Sequence, residues 1–102
     1  MAKVIAMYGR PVDPVAFNRY YFSKHVPIAK RIPNLRAYEI LRGPIGSLEG
    51  PAPYHLIAVL TFDSRAAIEA ALASDEGKAT AADLANFATG GVHIYFGDTD
   101  AV

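Results

Sequence analysis

Tyr54-His55-Leu56-Ile57-Ala58-Val59-Leu60-Thr61-Phe62 reads as a β-strand whose centre, Leu56 to Leu60, is apolar at every position. Successive side chains of a strand point to opposite faces, so a sheet with one wet face should alternate apolar and polar residues. This stretch does not alternate, and it predicts a sheet covered on both sides. Downstream, Asp63-Ser64 caps a helix carrying Ile68, Ala71 and Leu72 on one face. Ser74 restarts a short helical segment from Asp75 to about Ala85, with Gly77 a weak point inside it. Gly90-Gly91 releases a last strand, Val92 to Phe96. Upstream, Gly43 to Pro53 holds three Gly and three Pro and reads as a surface loop. Leu35 to Arg42 is a strand stopped by Gly43-Pro44. Asp13-Pro14 starts a helix expected to run to about His25, because Pro27 biases Val26 away from helical geometry. A bent continuation would end at Ile32-Pro33. Val4 to Tyr8, bounded by Gly9 and Pro11, is the first strand.

The order β-α-β-β-α-β is the ferredoxin-like arrangement, a four-stranded antiparallel sheet with helices on one face. No element is left to cover the second apolar face of Leu56–Leu60. A second copy of the chain, sheet against sheet, is the simplest cover, which predicts a homodimer. The other reading is that a middle strand is simply apolar and the long loop shields it.

The chain has 102 residues, enough for one domain over 1–102, and 52% of them are hydrophobic against 20% charged. Ten Lys and Arg balance ten Asp and Glu. With no basic excess, neither a nucleic acid nor a lipid surface is an expected partner. The absence of cysteine excludes disulfides, thiolate nucleophiles and Cys-type zinc sites, and points to the cytoplasm. Met1 to Tyr8 is too short an apolar run for a signal peptide, and no run approaches the length of a membrane span. Phosphate-cradling glycine loops and serine elbows are absent as well.

Chemistry therefore falls to histidine and tyrosine. His25 stands in helical register with Tyr21 and Phe17, on the face that meets the core. Burial lowers the pKa of an imidazole and a helix C-terminus raises it, so such a ring can be tuned for proton transfer. Alternatively, its nitrogens could cap backbone carbonyls where Pro27 breaks the helix. His55 should face opposite to Leu56, and His93 lies in the last strand. Three histidines so far apart have no ligand spacing, so no metal is expected. Glu69, Asp75 and Glu76 read as solvated helix-surface carboxylates. Six tyrosines without a tryptophan would suit a flat apolar ligand, though tyrosines also populate strands for packing alone.

His25-x-Pro27, Pro33-x-Leu35-x-x-Tyr38-Glu39, Pro53-Tyr54-His55-Leu56, Phe62-Asp63-Ser64 and Ser74-x-Glu76-Gly77, in this order and spacing, resemble the EthD family. The resemblance covers nearly the whole chain. Asn34 departs from it, standing where the family usually has Gly, and Asn tolerates the left-handed turn this needs. The resemblance implies a ferredoxin-like monomer of the dimeric α/β-barrel superfamily, with two sheets packing into a barrel. Related families include cofactor-free monooxygenases, polyketide cyclases, lactone isomerases and haem-handling enzymes. In several of them a His with a Tyr or Asn transfers a proton in a pocket between sheet and helices. Carried to this chain, that implies His25 as proton carrier; the motif does not fix its tyrosine partner, and Tyr38 and Tyr21 are the leading candidates to steady an oxyanion. Phe17, Tyr8, His55 and Phe87 are expected to line the pocket. The expected function is a cofactor-independent oxygenase, cyclase or isomerase acting on a small hydrophobic or aromatic compound. The alternatives are a non-catalytic ligand-binding accessory dimer and a haem binder using one His.

Overall fold

A computed structural model describes all 102 residues. The strands are β1 (Ala2–Gly9), β2 (Ala37–Arg42), β5 (Tyr54–Phe62) and β6 (Val92–Asp98), with a two-residue ladder of β3 (Gly46–Ser47) and β4 (Gly50–Pro51) inside the long loop. The helices are α1 (Pro14–Tyr20), a π turn (Tyr21–His25), α2 (Val26–Ala29), α3 (Arg65–Ala73) and α4 (Asp75–Asp83), followed by a single 3-10 turn (Leu84–Asn86). The large sheet runs β2-β5-β1-β6 with every neighbour antiparallel. This is the ferredoxin-like arrangement, with helices on one face. No helix is long and apolar enough to cross a membrane.

Local chemistry accounts for the element boundaries. The Asp13 carboxylate accepts from the amides of Val15 and Ala16, both at 3.1 Å, and Pro14 takes the first helical position. Ser64 accepts from the Ala67 amide and Ser74 from that of Gly77, so each starts its own helix. Gly77 is the point where α4 touches α3: a side chain there would collide with the Ala71 carbonyl. Its cost in helix propensity is offset by a close approach that no other residue allows. Asn34 adopts φ 63°, the left-handed turn that delays β2 until Ala37.

Pro27 acts differently from expectation. Val26 stays helical, at φ −57° and ψ −47°. The Pro27 ring excludes an ordinary helical turn, because it has no amide hydrogen and crowds the carbonyl four residues back. The chain widens instead: the Val26 amide bonds the Tyr21 carbonyl five residues earlier, and the helix continues through α2.

Strand β5 alternates in burial although not in polarity. Leu56, Ala58 and Leu60 are buried under the helices together with Val4, Ala6 and Tyr8 of β1. Ile68 and Ala71 of α3 and Phe17 of α1 complete this core. Truncating fully buried Ile68 to Ala should cost about 2–5 kcal/mol. Ile57 and Val59 face the other way, beside Ile5, Met7 and Leu41, with Tyr95 across from Ile5. On this open face Ile5, Leu41 and Tyr95 remain 37%, 56% and 62% exposed, so the long loop does not shield it. Arg10 Nη2 donates to the Ala52 carbonyl at 3.0 Å and ties that loop to the end of β1 instead.

His55 does not face opposite to Leu56 in the way simple alternation requires. The β1–β5 register slips between Tyr8 and Gly9, so that Gly9 pairs with Tyr54 and His55 is the surplus residue. A bulge of this kind re-aims a side chain. His55 turns toward α1, where its ring meets Phe17 edge-on at 4.9 Å.

Candidate functional site

The π turn places His25 beneath the helices, where the residue is 3% exposed. Its ring packs against Phe87 at 4.6 Å and Tyr21 at 5.5 Å between centroids. Neither ring nitrogen caps a backbone carbonyl; both reach side chains. Nδ1 lies 2.9 Å from Asp83 Oδ2, and Nε2 lies 3.5 Å from the Tyr8 hydroxyl, at the limit of hydrogen bonding. Asp83 ends α4, and its Oδ1 accepts from the Tyr20 hydroxyl at 2.7 Å and from Asn86 Nδ2 at 3.0 Å.

The electrostatics assign the protons. Burial lowers the His25 pKa and outweighs the hydrogen bond and charge of Asp83, which raise it. Burial acts to raise the Asp83 pKa, yet the hydrogen bonds from Tyr20, Asn86 and His25 together hold it below the usual carboxylate value. At neutral pH the pair is therefore a neutral imidazole against an ionised carboxylate. A carboxylate only accepts, so Nδ1 carries the hydrogen and Nε2 keeps its lone pair. Tyr8, Tyr21 and Tyr38 all have raised pKa values, with burial the largest cause in each, and stand as neutral phenols.

A cavity of about 80 Å³ opens between the sheet and the helices. His25, Tyr8, Tyr38 and Thr80 are its lining residues with polar side chains; Val4, Ala6, Ala58 and Leu60 form the apolar floor, and Leu72 and Ala81 join Thr80 on the α3–α4 side. Tyr21 is fully buried behind this wall, its hydroxyl 2.6 Å from that of Tyr38.

Not every expected residue reaches the cavity. Phe17 and Phe87 lie in an aromatic cluster with Tyr8, Tyr20 and Tyr21, where they pack the site from behind. They border a separate groove with Tyr20 and Asn86. His55 opens onto a different cleft with Asn18, Arg42 and Gly43, its Nε2 2.7 Å from Asn18 Oδ1. Burial, then Arg10 and Arg42, lower its pKa. His93 sits on the exposed open face, opposite Met7. No three residues among His, Cys, Asp and Glu come together in a way that could hold a metal ion.

Asp83 was missing from the sequence reading. Its signal was present: a carboxylate at the end of a helix with no basic residue in the last turn opposes the helix dipole.

The EthD domain model matches residues 9–91. The chain is 43% identical over 103 residues to an uncharacterized 11.0 kDa protein from the thcB-thcC intergenic region of Rhodococcus erythropolis, covering all of this chain and 98% of that one. The crystal structure of an ethyl tert-butyl ether D (EthD) family protein from Bacillus halodurans superposes with a TM-score of 0.89 at 33% identity, over 98% of this chain and 99% of that one. SnoaB, a cofactor-independent oxygenase from Streptomyces nogalater, shares the fold at a TM-score of 0.68 and 14% identity, over 99% and 94% of the two chains. The match of the family model from the end of β1 to the start of β6, joined to relatives that align end to end, places this chain in the EthD domain family.

Proposed function

We propose that this protein is a cofactor-independent enzyme that moves a proton on a small hydrophobic compound, with His25 as general base. The observation that carries this reading is that His25 lines an apolar cavity while its Nε2 is met only by a long contact from Tyr8. Nε2 would take a proton from a phenol or from the carbon beside a carbonyl. The imidazolium so formed faces the ionised carboxylate of Asp83. Tyr38, with Tyr21 behind it, would donate its hydroxyl to the oxygen on which negative charge builds. Oxygenase, cyclase and isomerase chemistry can all open with this step, and the fold likeness to SnoaB suits the oxygenase form.

The cavity is well below the roughly 300–1,000 Å³ of sites for drug-sized ligands. That favours a compact substrate, or entry by parting of the Leu72 and Thr80 side. NMR titration with a panel of small phenols and aromatic ketones tests the reading. A binder should move the His25 ring resonances, and His25→Gln should keep the fold while abolishing conversion. Binding that moves the ring without any conversion would leave an accessory ligand-binding protein. No response at His25 to any compound that binds would overturn the site itself.

The open face supports a homodimer, and a chain without cysteine suits the cytoplasm. Ile57 and Val59 lie at its centre, flanked by Ile5, Met7 and Leu41, and the chain carries no net charge to repel a second copy. Sedimentation should give about twice 11.0 kDa. Val59→Lys should halve that mass, and a monomeric wild type would end the proposal.

A further inference from the structure

We propose that Asp83 is the positioning residue of this site, holding His25 in the one tautomer that turns an unprotonated Nε2 toward the cavity. The inference rests on the reading of His25 as a base.

Three features carry it. First, Asp83 stands where local preference argues against it. It is a carboxylate at the C-terminal end of α4, 7% exposed, with no lysine or arginine in the last turn. Helix electrostatics disfavour the charge there, and burial adds to the cost. What compensates is a set of three donors brought from two other segments and the next turn.

Second, the two carboxylate oxygens are divided. The Tyr20 hydroxyl and Asn86 Nδ2 both donate to Oδ1, so that oxygen is filled and the carboxylate plane is pinned. Oδ2 is left for one partner, His25 Nδ1 at 2.9 Å. A staple joining α1 to α4 would need only the Tyr20 bond. It would not need the second oxygen spent on a ring that itself lines the cavity.

Third, the choice of tautomer is forced. An ionised carboxylate cannot donate, so the ring hydrogen must sit on Nδ1. Among the hydrogen-bond and ring partners of His25 the only charged group is Asp83; Tyr8, Tyr21 and Phe87 are neutral. With Asn at position 83 the side chain could instead offer its NH₂ to Nδ1, and the hydrogen would move to Nε2. The base would then present a hydrogen to the substrate instead of a lone pair.

Long-range proton–nitrogen NMR of the His25 ring decides the matter without a substrate. The wild type should carry its hydrogen on Nδ1. Asp83→Asn should move it to Nε2 while the backbone amide spectrum stays native-like, a change that a purely structural role would not produce. Tyr20→Phe, which frees one lone pair of Oδ1 and loosens the carboxylate, should keep the Nδ1 tautomer but speed solvent exchange of that hydrogen severalfold. Should Asp83→Asn not fold, the wild-type tautomer and the Tyr20→Phe exchange rate carry the test. A wild-type ring with its hydrogen on Nε2, a folded Asp83→Asn that keeps the Nδ1 form, or an unchanged exchange rate in Tyr20→Phe would each overturn the proposal. A correct tautomer in a protein whose ring responds to no ligand would instead overturn the base reading and leave Asp83 in its structural relation to His25.

Discussion

His25 and His55 are two histidines pressed against the same aromatic cluster, and each is hydrogen-bonded to a side chain from another element. Burial lowers the pKa of both. The partners differ. His25 faces a buried carboxylate and an apolar cavity, whereas His55 faces a neutral amide beside Arg10 and Arg42 at an open cleft. A lowered pKa therefore does not by itself mark a proton carrier. What separates the two sites is whether the partner can stabilise the charged ring once a proton arrives.

The largest expected effect that would test this contrast is the loss of each partner. Asp83→Ala leaves the His25 Nδ1–H without an acceptor in a buried setting, which costs about 1–3 kcal/mol for that donor alone. Asn18→Ala removes a half-buried neutral bond and should cost less than about 1 kcal/mol. Urea midpoints of the two variants measure the difference, and equal losses would erase the distinction.

Acid titration gives the next effect in size. A histidine whose native pKa is lowered favours the neutral form on folding, so the unfolded chain binds more protons in the intervening range. Stability should be full above the unfolded value of 6.5 and fall as pH drops below it toward the native pKa. The depressed Asp83 carboxyl adds a second loss lower down, as pH falls from 3.8 through its native value. His25→Gln should remove more of the loss below pH 6.5 than His55→Gln, because His25 is the more deeply buried ring. Melting temperatures from pH 8 to pH 5 read this directly.

The smallest effect is the finest discriminator. Arg10 and Arg42 act on His55 across an exposed cleft, so raising salt toward 1 M should screen them and lift its pKa. The His25 value should hold steady, since burial dominates it. Ring titrations at low and high salt that move together would show that the two sites share one electrostatic environment.

How much of this was legible depended on sequence distance. The apolar run of β5, the Asp13, Ser64 and Ser74 caps and the left-handed Asn34 are local features, and local rules found them. His25 was found by its register with Phe17 and Tyr21, and by the resemblance that rests on His25-x-Pro27. Asp83 lies 58 residues away on a helix whose other carboxylates are solvated; its place at the helix end marks it as unusual, but only the folded contact shows His25 as its partner. The orientation of His55 depended on a register slip between two strands, which is a property of the pair and not of either strand. The π turn was hidden because a proline in a helix usually signals its end.

That wide turn also stores a length of chain that Pro27 keeps the helix from releasing. It holds one residue more than an α-helical path over the same distance would need. Deleting Ser23, which is exposed, is absorbed by closing the π turn to an α turn only where Pro27→Ala has removed the ring that excludes that turn, and Phe17 and His25 then both keep their places. The same loss within α3 has no slack to draw on and would rotate every later position by about 100°. The element that carries the proposed base is thus the one helical stretch of this fold where, once Pro27 is replaced, a residue can be dropped without turning the flanking faces away from the core.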